Sequence, residues 1–204
     1  VNNNVWQTKY PVGEQTLCVY GPDNWKVVAD HNYAPTAPGA IKSYPDTQRD
    51  LNPPRAIDSF TEVVASFKFT SPDVGEWNEA FDIWLGKWGA LAGELMVWTR
   101  HRYNGPLPPK NAVQTDRPTI GGQKYIAWTR PLNAGDPRPY IALVMDPMVA
   151  EGTVDLLAIF RWLVSKGWLK GTDTIAAIEY GIEIANTGGK PETFQLDSYE
   201  LTVR

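Results

Sequence analysis

Gly93-Glu94-Leu95-Met96-Val97-Trp98 reads as a strand with two unlike faces. Successive side chains of an extended chain point to opposite sides, so Glu94, Met96 and Trp98 share one face and Leu95 and Val97 the other. Leu95 and Val97 suit a core between two sheets. A solvent-washed face gives no reason to set Met and Trp beside Glu, whereas a concave, partly covered face accounts for all three.

Just upstream, Asn78-Glu79-Ala80-Phe81-Asp82-Ile83-Trp84-Leu85 is followed by Gly86-Lys87-Trp88-Gly89-Ala90, a glycine-bearing stretch fit to turn a hairpin. Such a hairpin brings Asp82 toward the face of Glu94, where a hydrogen-bonding acid would orient a second carboxylate. A charge on an exposed strand edge explains the same pattern equally well. Near the C-terminus, Ile178-Glu179-Tyr180-Gly181-Ile182-Glu183-Ile184 sends Ile178, Tyr180, Ile182 and Ile184 inward, leaving Glu179, Gly181 and Glu183 opposite. Gly181 removes bulk beside Glu183 and is expected to let a ligand approach the backbone. Taken singly, each strand glutamate is ordinarily a solvent-facing charge.

The surrounding chain is punctuated throughout by turns: Gly21-Pro22-Asp23-Asn24, Pro35 to Gly39, Asn52-Pro53-Pro54, Gly105-Pro106 and Gly188-Gly189. Between them lie short strand-like runs at sandwich or barrel spacing, among them Val63 to Phe69, Lys124 to Trp128 and Tyr140 to Met145. One segment departs from this. From Thr153 to Lys166, Leu156, Ile159, Phe160 and Leu163 form a single helical stripe. Thr153 is the expected N-cap, Asp155 belongs to the first turn and Gly167 is the expected stop. The helix should pack its stripe on the outside of a sheet. No internal repeat, low-complexity tract or domain boundary interrupts residues 1–204, which read as one domain.

The charge balance, 19 Lys and Arg against 23 Asp and Glu, contains no basic block and disfavours nucleic acid. No apolar run is long enough to span a membrane. The chain opens Val1-Asn2-Asn3-Asn4-Val5-Trp6 without a basic-then-apolar leader, as in a protein made without a signal peptide or in a mature form. Cys18 is alone, and His31 and His101 are too few and isolated for a zinc site. Nine Trp and nine Tyr exceed ordinary usage. Flat aromatic rings stack on the apolar C–H faces of sugars, although they also fill β-sandwich cores.

Several of these segments resemble glycoside hydrolase family 12. Glu94-Leu95-Met96-Val97-Trp98 is similar to the family's nucleophile motif. Phe81-Asp82-Ile83-Trp84 resembles its aromatic-Asp-Ile-Trp segment, and Gly181-Ile182-Glu183-Ile184 its acid/base segment. Asn3-Asn4-Val5-Trp6 resembles its N-terminal Asn-Asn-x-Trp. Gly105-Pro106-Leu107-Pro108 and the 153–166 helix follow in family order. The resemblance implies an all-β jelly-roll sandwich of two curved antiparallel sheets, with a concave substrate cleft and one packed α-helix. It implies a secreted, monomeric, retaining endo-β-1,4-glucanase acting on cellulose or soluble β-glucan, with no metal or organic cofactor. Glu94 would be the nucleophile and Glu183 the acid/base. Asp82 would hydrogen-bond Glu94, and Asn4, Trp6, Asn78, Met96 and Trp98 would line the cleft. Retaining hydrolysis holds its two carboxyl groups about 5–5.5 Å apart.

The chain departs from the family in places. Ala185 stands where many relatives carry an aromatic, and Asp46-Thr47-Gln48-Arg49 follows Tyr44-Pro45 where an aromatic is common. Cys18 has no partner for a disulfide near the N-terminus, and the Asp82-to-Glu94 connection is short. A cleft without two aromatic platforms points to a decorated or soluble glucan over crystalline cellulose. A xyloglucan-specific endoglucanase is one alternative. A lectin-like sandwich that binds glycans without cutting them is another, disfavoured because binding alone needs no matched carboxylates.

Overall fold

A computed structural model of the protein describes residues 1–6, 12–32, 40–103, 112–130 and 139–204; the Pro35–Gly39 turn and the Gly105-Pro106-Leu107-Pro108 segment lie outside them. The smaller sheet contains β1 (Gln15–Gly21), β2 (Asn24–Ala29), β4 (Val63–Thr70), β11 (Glu151–Asp155) and β13 (Glu192–Val203). The larger contains β3 (Asp46–Ala56), β5 (Glu76–Lys87), β6 (Ala90–Arg102), β7 (Val113–Asp116), β8 (Thr119–Ile120), β9 (Gln123–Arg130), β10 (Tyr140–Met145) and β12 (Thr174–Asn186). Spatial orders are β1-β2-β13-β4-β11 and β3-β12-β5-β6-β10-β9-β7, with β8 beside β9. The pairing is antiparallel as expected, apart from β10, which runs parallel to β6. This is the all-β jelly-roll sandwich that the motifs implied.

The core lies between the sheets and follows the period of two. Val63, Ala65, Phe67 and Phe69 on β4 are all buried, as are Ile178, Tyr180, Ile182 and Ile184 on β12 and Leu95 and Val97 on β6. Phe81 and Tyr180 bring ring centroids to 4.4 Å, and Tyr180 stacks on Tyr199 at 5.5 Å, joining the sheets through aromatic contacts. Facing this core from β5 is Glu79, fully buried, with Arg100 Nη2 at 2.5 Å from its Oε1.

Asn52-Pro53-Pro54 does not make the expected turn. It bulges within β3, between the pairs Asp50↔Ala177 and Arg55↔Ile175. β3 is an edge strand, where a missing N–H breaks no ladder.

The helix, α1 (Leu156–Ser165), begins later than its periodicity predicts. Thr153 belongs to β11, its hydroxyl 2.9 Å from that of Ser66, and Asp155 is the N-cap, accepting from Ala158 N at 2.8 Å. Strand pairing with β4 holds 151–155 extended, so the capping role passes to the first side-chain acceptor beyond the ladder. Gly167, at φ +70°, closes the C-terminus as expected, with Trp168 N on Leu163 O and Gly167 N on Val164 O. Leu156, Ile159, Phe160 and Leu163 are buried, and α1 packs near β4.

Candidate active site

β5 lies between β12 and β6 and carries Asn78, Ala80, Asp82 and Trp84 on the face turned away from the core. Glu183 on β12 stands opposite Asn78. Asp82 stands opposite Met96 on β6, diagonal to Glu94, which itself pairs with Trp84. An additional residue at Thr99 bulges β6, so Arg100 meets Glu79 on the core side while His101 joins Trp98 on the cleft side. The expected hairpin forms, with β5 and β6 joined through Trp88-Gly89 and Gly89 at φ +82°.

The predicted carboxylates therefore converge. Asn78 is fully buried, and its Nδ2 donates to Glu183 Oε2 at 2.5 Å and to Tyr103 OH at 3.2 Å. Burial pushes the half-buried Glu183 up to about 7, the Asn78 hydrogen bond opposes that rise, and the charge of Glu94 adds to it. Asp82 is buried, and burial together with the charges of Glu94, Glu179 and Glu183 drives its carboxyl well above the usual range. Its Oδ1 finds no hydrogen-bond partner among the described residues.

Met96 and Trp98 sit on the cleft face, yet only 2 % and 4 % of their surfaces remain exposed. They form a floor instead of open platforms: Tyr103 stacks on Trp98 at 5.9 Å, and Tyr140 OH donates to Met96 Sδ at 3.2 Å. Asn4 and Trp6 occupy a lip. Val5 bridges Ser43 and Ser43 bridges Ile184, next to Glu183. Trp6, 38 % exposed, donates its indole N–H to Asn4 Oδ1 at 2.9 Å. Buried Lys42 supports this lip by donating to Ala185 O.

Gly181 plays a different part from the one expected. A Cβ there would meet Pro45 O at 2.2 Å and Asp46 Cα at 2.8 Å. The neighbouring chain, bonded through Ile182 N to Pro45 O at 3.1 Å, fills the space that a ligand was expected to use. Tyr44 accordingly crosses the cleft floor, its hydroxyl donating to Ala80 O at 3.0 Å.

Sequence reasoning missed Glu179, Asp46, Trp84, Tyr103 and Tyr140. Glu179 is buried opposite Asp82, accepts a hydrogen bond from Trp84, and is raised to about 8, chiefly by burial and then by Asp46. Asp46 is fully buried and raised to about 6 by burial, against a hydrogen bond from Asn2 Nδ2 at 3.0 Å. Strand alternation already placed Glu179 with Glu183 and Trp84 with Asp82; what it lacks is the flanking strands, which set Gln48 of β3 and Asp82 of β5 on either side of Glu179. Among the described residues, no group of His, Cys, Asp and Glu is arranged to hold a metal ion.

No protein-family model matches the sequence, and no curated protein matches it either. Solved structures match over the whole chain. The xyloglucanase domain of NopAA, a type three effector from Sinorhizobium fredii in complex with cellobiose, is 27% identical with TM-score 0.82, covering 100% of this chain and 92% of that one. A family 12 xyloglucanase from Bacillus licheniformis matches at 18% identity and TM-score 0.82, covering 98% of this chain and 91% of its own. An endoglucanase from Rhodothermus marinus matches at 23% and TM-score 0.80, covering 99% and 90%. Agreement over the full chain, on this arrangement of sheets, defines the class: a glycoside hydrolase built on a β-jelly-roll. Members of glycoside hydrolase family 12, the family that this chain's motifs resemble, are among these similar structures.

Proposed function

We propose that this protein is a secreted, retaining endo-β-1,4-glucanase that cuts internal bonds of soluble β-glucan or cellulose, with Glu94 as nucleophile and Glu183 as acid/base. Glu94 attacks the anomeric carbon as Glu183 gives its proton to the departing glycosidic oxygen, leaving a glycosyl ester on Glu94. Glu183, now ionised, takes a proton from water, which releases the sugar from the ester. Asp82 is the positioning acid. With its carboxyl raised, the proton of the Asp82–Glu94 pair resides on Asp82 and the negative charge on the nucleophile.

The observation that carries this reading is the convergence of Glu94, Asp82 and Glu183 on one face of three adjacent strands, with Glu183 held up to about 7. A carboxylic acid protonated near neutrality beside a second carboxylate is the division of labour that glycoside hydrolysis requires. A xyloglucan-specific enzyme is the second reading, favoured by the 27% identity to a xyloglucanase domain.

A reducing-sugar assay on carboxymethylcellulose and xyloglucan separates these readings. Release from either establishes hydrolysis, and the ratio of rates ranks the substrates. Glu94→Gln and Glu183→Gln should each abolish most turnover with an unchanged circular dichroism spectrum. Near-normal activity in either variant would remove that residue from its role, and a wild-type protein that binds both glucans and cuts neither would be a lectin.

A further inference from the structure

The hairpin joining β5 to β6 ends in a residue that the proposed chemistry does not use. Two-residue hairpin loops favour small or polar residues that set the backbone without exposing apolar surface. Gly89 supplies the left-handed conformation of this one, at φ +82°. Trp88 adds nothing to the turn and is 48 % exposed.

A lone exposed aromatic is commonplace; a tethered one over a cleft is not. Trp88 Nε1 donates to Asp50 Oδ1 at 3.1 Å, and the same oxygen accepts from Gln48 Nε2 at 2.7 Å. Asp50 pairs with Ala177 and Gln48 with Glu179, so the tether is anchored on the cleft face of β3. The base of the hairpin is also fixed. Gly86 bulges at φ +98°, where a Cβ would meet Ala92 N at 2.7 Å, and its carbonyl accepts from Thr174 Oγ1 at 2.9 Å. Trp6 shows the same construction, with its indole N–H bonded to Asn4 Oδ1 at 2.9 Å and its ring in solvent. The two rings stand at opposite ends of β12, Trp6 near Ile184 and Trp88 near Ala177. At about 3.3 Å per residue those positions are about 23 Å apart, room for several sugar rings between them.

We propose that Trp88, oriented by Asp50, is a stacking platform for a pyranose ring of the β-glucan backbone at the outer margin of the cleft. This rests on the glucanase reading above and extends it to a subsite beyond the residues that meet the scissile bond. An indole whose N–H is already engaged cannot turn its edge to the ligand and offers its apolar face, which suits the C–H face of a sugar.

The test compares kcat/KM on a long soluble β-glucan with kcat/KM on a short aryl cellobioside. In Trp88→Ala the polymer-to-short ratio should fall about threefold to tenfold, and in Trp88→Phe by less. Asp50→Asn keeps an acceptor for the indole and should hold the wild-type ratio, while Asp50→Ala should lower it. Retardation in native gels cast with the same glucan should weaken in the same order. A Trp88→Ala ratio and retardation equal to wild type would overturn the platform. If the wild type cut neither substrate, the hydrolase reading would fail alone, and gel retardation would still decide whether Trp88 binds glycan.

Discussion

Asn78 and Glu183 face one another across β5 and β12, and the Asn78 amide donates to Glu183 Oε2 at 2.5 Å. This bond stabilises the ionised acid, while burial and the charge of Glu94 stabilise the protonated one; the balance leaves Glu183 at about 7. Both forms are needed in turn, the acid for glycosylation and the base for release of the sugar. Hence kcat/KM, which reports the free enzyme, should hold below pH 7 on this limb and fall as pH rises through it. Asn78→Leu is similar in size but donates nothing, so the alkaline limb should move to higher pH while kcat drops. The pH profile of kcat/KM for both proteins measures this. A limb that stays in place or moves down would show that Asn78 does not set the acid.

Asp82 is assigned a proton and not a charge, and the two assignments predict different mutants. Asn is a neutral isostere of a protonated Asp and retains N–H donors toward Glu94. Asp82→Asn should therefore lose less activity than Asp82→Val, which removes every polar atom beside the nucleophile. Steady-state kinetics at pH 6 provides the comparison, with Glu94→Gln as the floor. General acid–base and positioning groups contribute roughly 10²–10⁴-fold. Equal losses in Asp82→Asn and Asp82→Val would mean that Asp82 acts as a carboxylate.

Glu179 carries a stability cost that depends on pH. Its carboxyl rises from 4.5 to about 8 on folding, mainly through burial, so the folded protein holds a proton that the unfolded chain releases. That stabilisation is complete below the unfolded value and is lost as pH rises through about 8. Asp46, at about 6, and Glu183, at about 7, act in the same direction. His31 acts in the opposite direction but only below 6.5, since burial lowers it to about 4. Thermal melts should show Tm falling between pH 6.5 and 8.5. One pKa unit is worth about 1.4 kcal/mol, and domains of this size move roughly 2–4 °C per kcal/mol. Glu179→Gln keeps an acceptor for Trp84 and cannot ionise, so its decline should be shallower. Parallel curves would mean that Glu179 is charged in the native state.

Leu95, Val97, Ile178, Tyr180, Ile182 and Ile184 were assigned to the core by alternation alone, and all are buried. Alternation is local, and it also placed Glu94, Asp82 and Glu183 on the faces they occupy. What it lacks is the neighbour. Whether a strand face meets solvent or another part of the chain is decided by pairing: β3 against β12 turned Glu179 from a surface charge into a buried acid, and residues 45–46 against Gly181 turned a ligand space into a packed one. The Thr153 cap failed for the same reason, since pairing with β4 extends the strand through Asp155. The Thr99 bulge has no strong local signature, yet it reverses the facing of every residue after it, which places His101 in the cleft.

The ion pair beside that bulge allows a separate prediction. Glu79 is fully buried on the core side, with Arg100 Nη2 at 2.5 Å and Ser71 Oγ donating at 2.7 Å. Burial raises the Glu79 carboxyl, and the hydrogen bond and charge of Arg100 hold it down. Arg100→Met would leave a carboxylate in the core with only Ser71 beside it, a loss that typically costs about 3–5 kcal/mol. The sign with pH follows. Without its cation Glu79 moves further up and takes a proton when one is available, so urea melts should show a larger penalty at pH 8 than at pH 5. Replacing the acid as well, in Arg100→Met with Glu79→Leu, removes the unpaired charge and should recover much of the loss at pH 8. Because Arg100 also fixes the strand where His101 turns toward the cleft, the single variant should lose activity together with stability. A penalty independent of pH would place its cause in lost packing against Trp77, whose ring lies 5.1 Å from the guanidinium, and not in the buried charge.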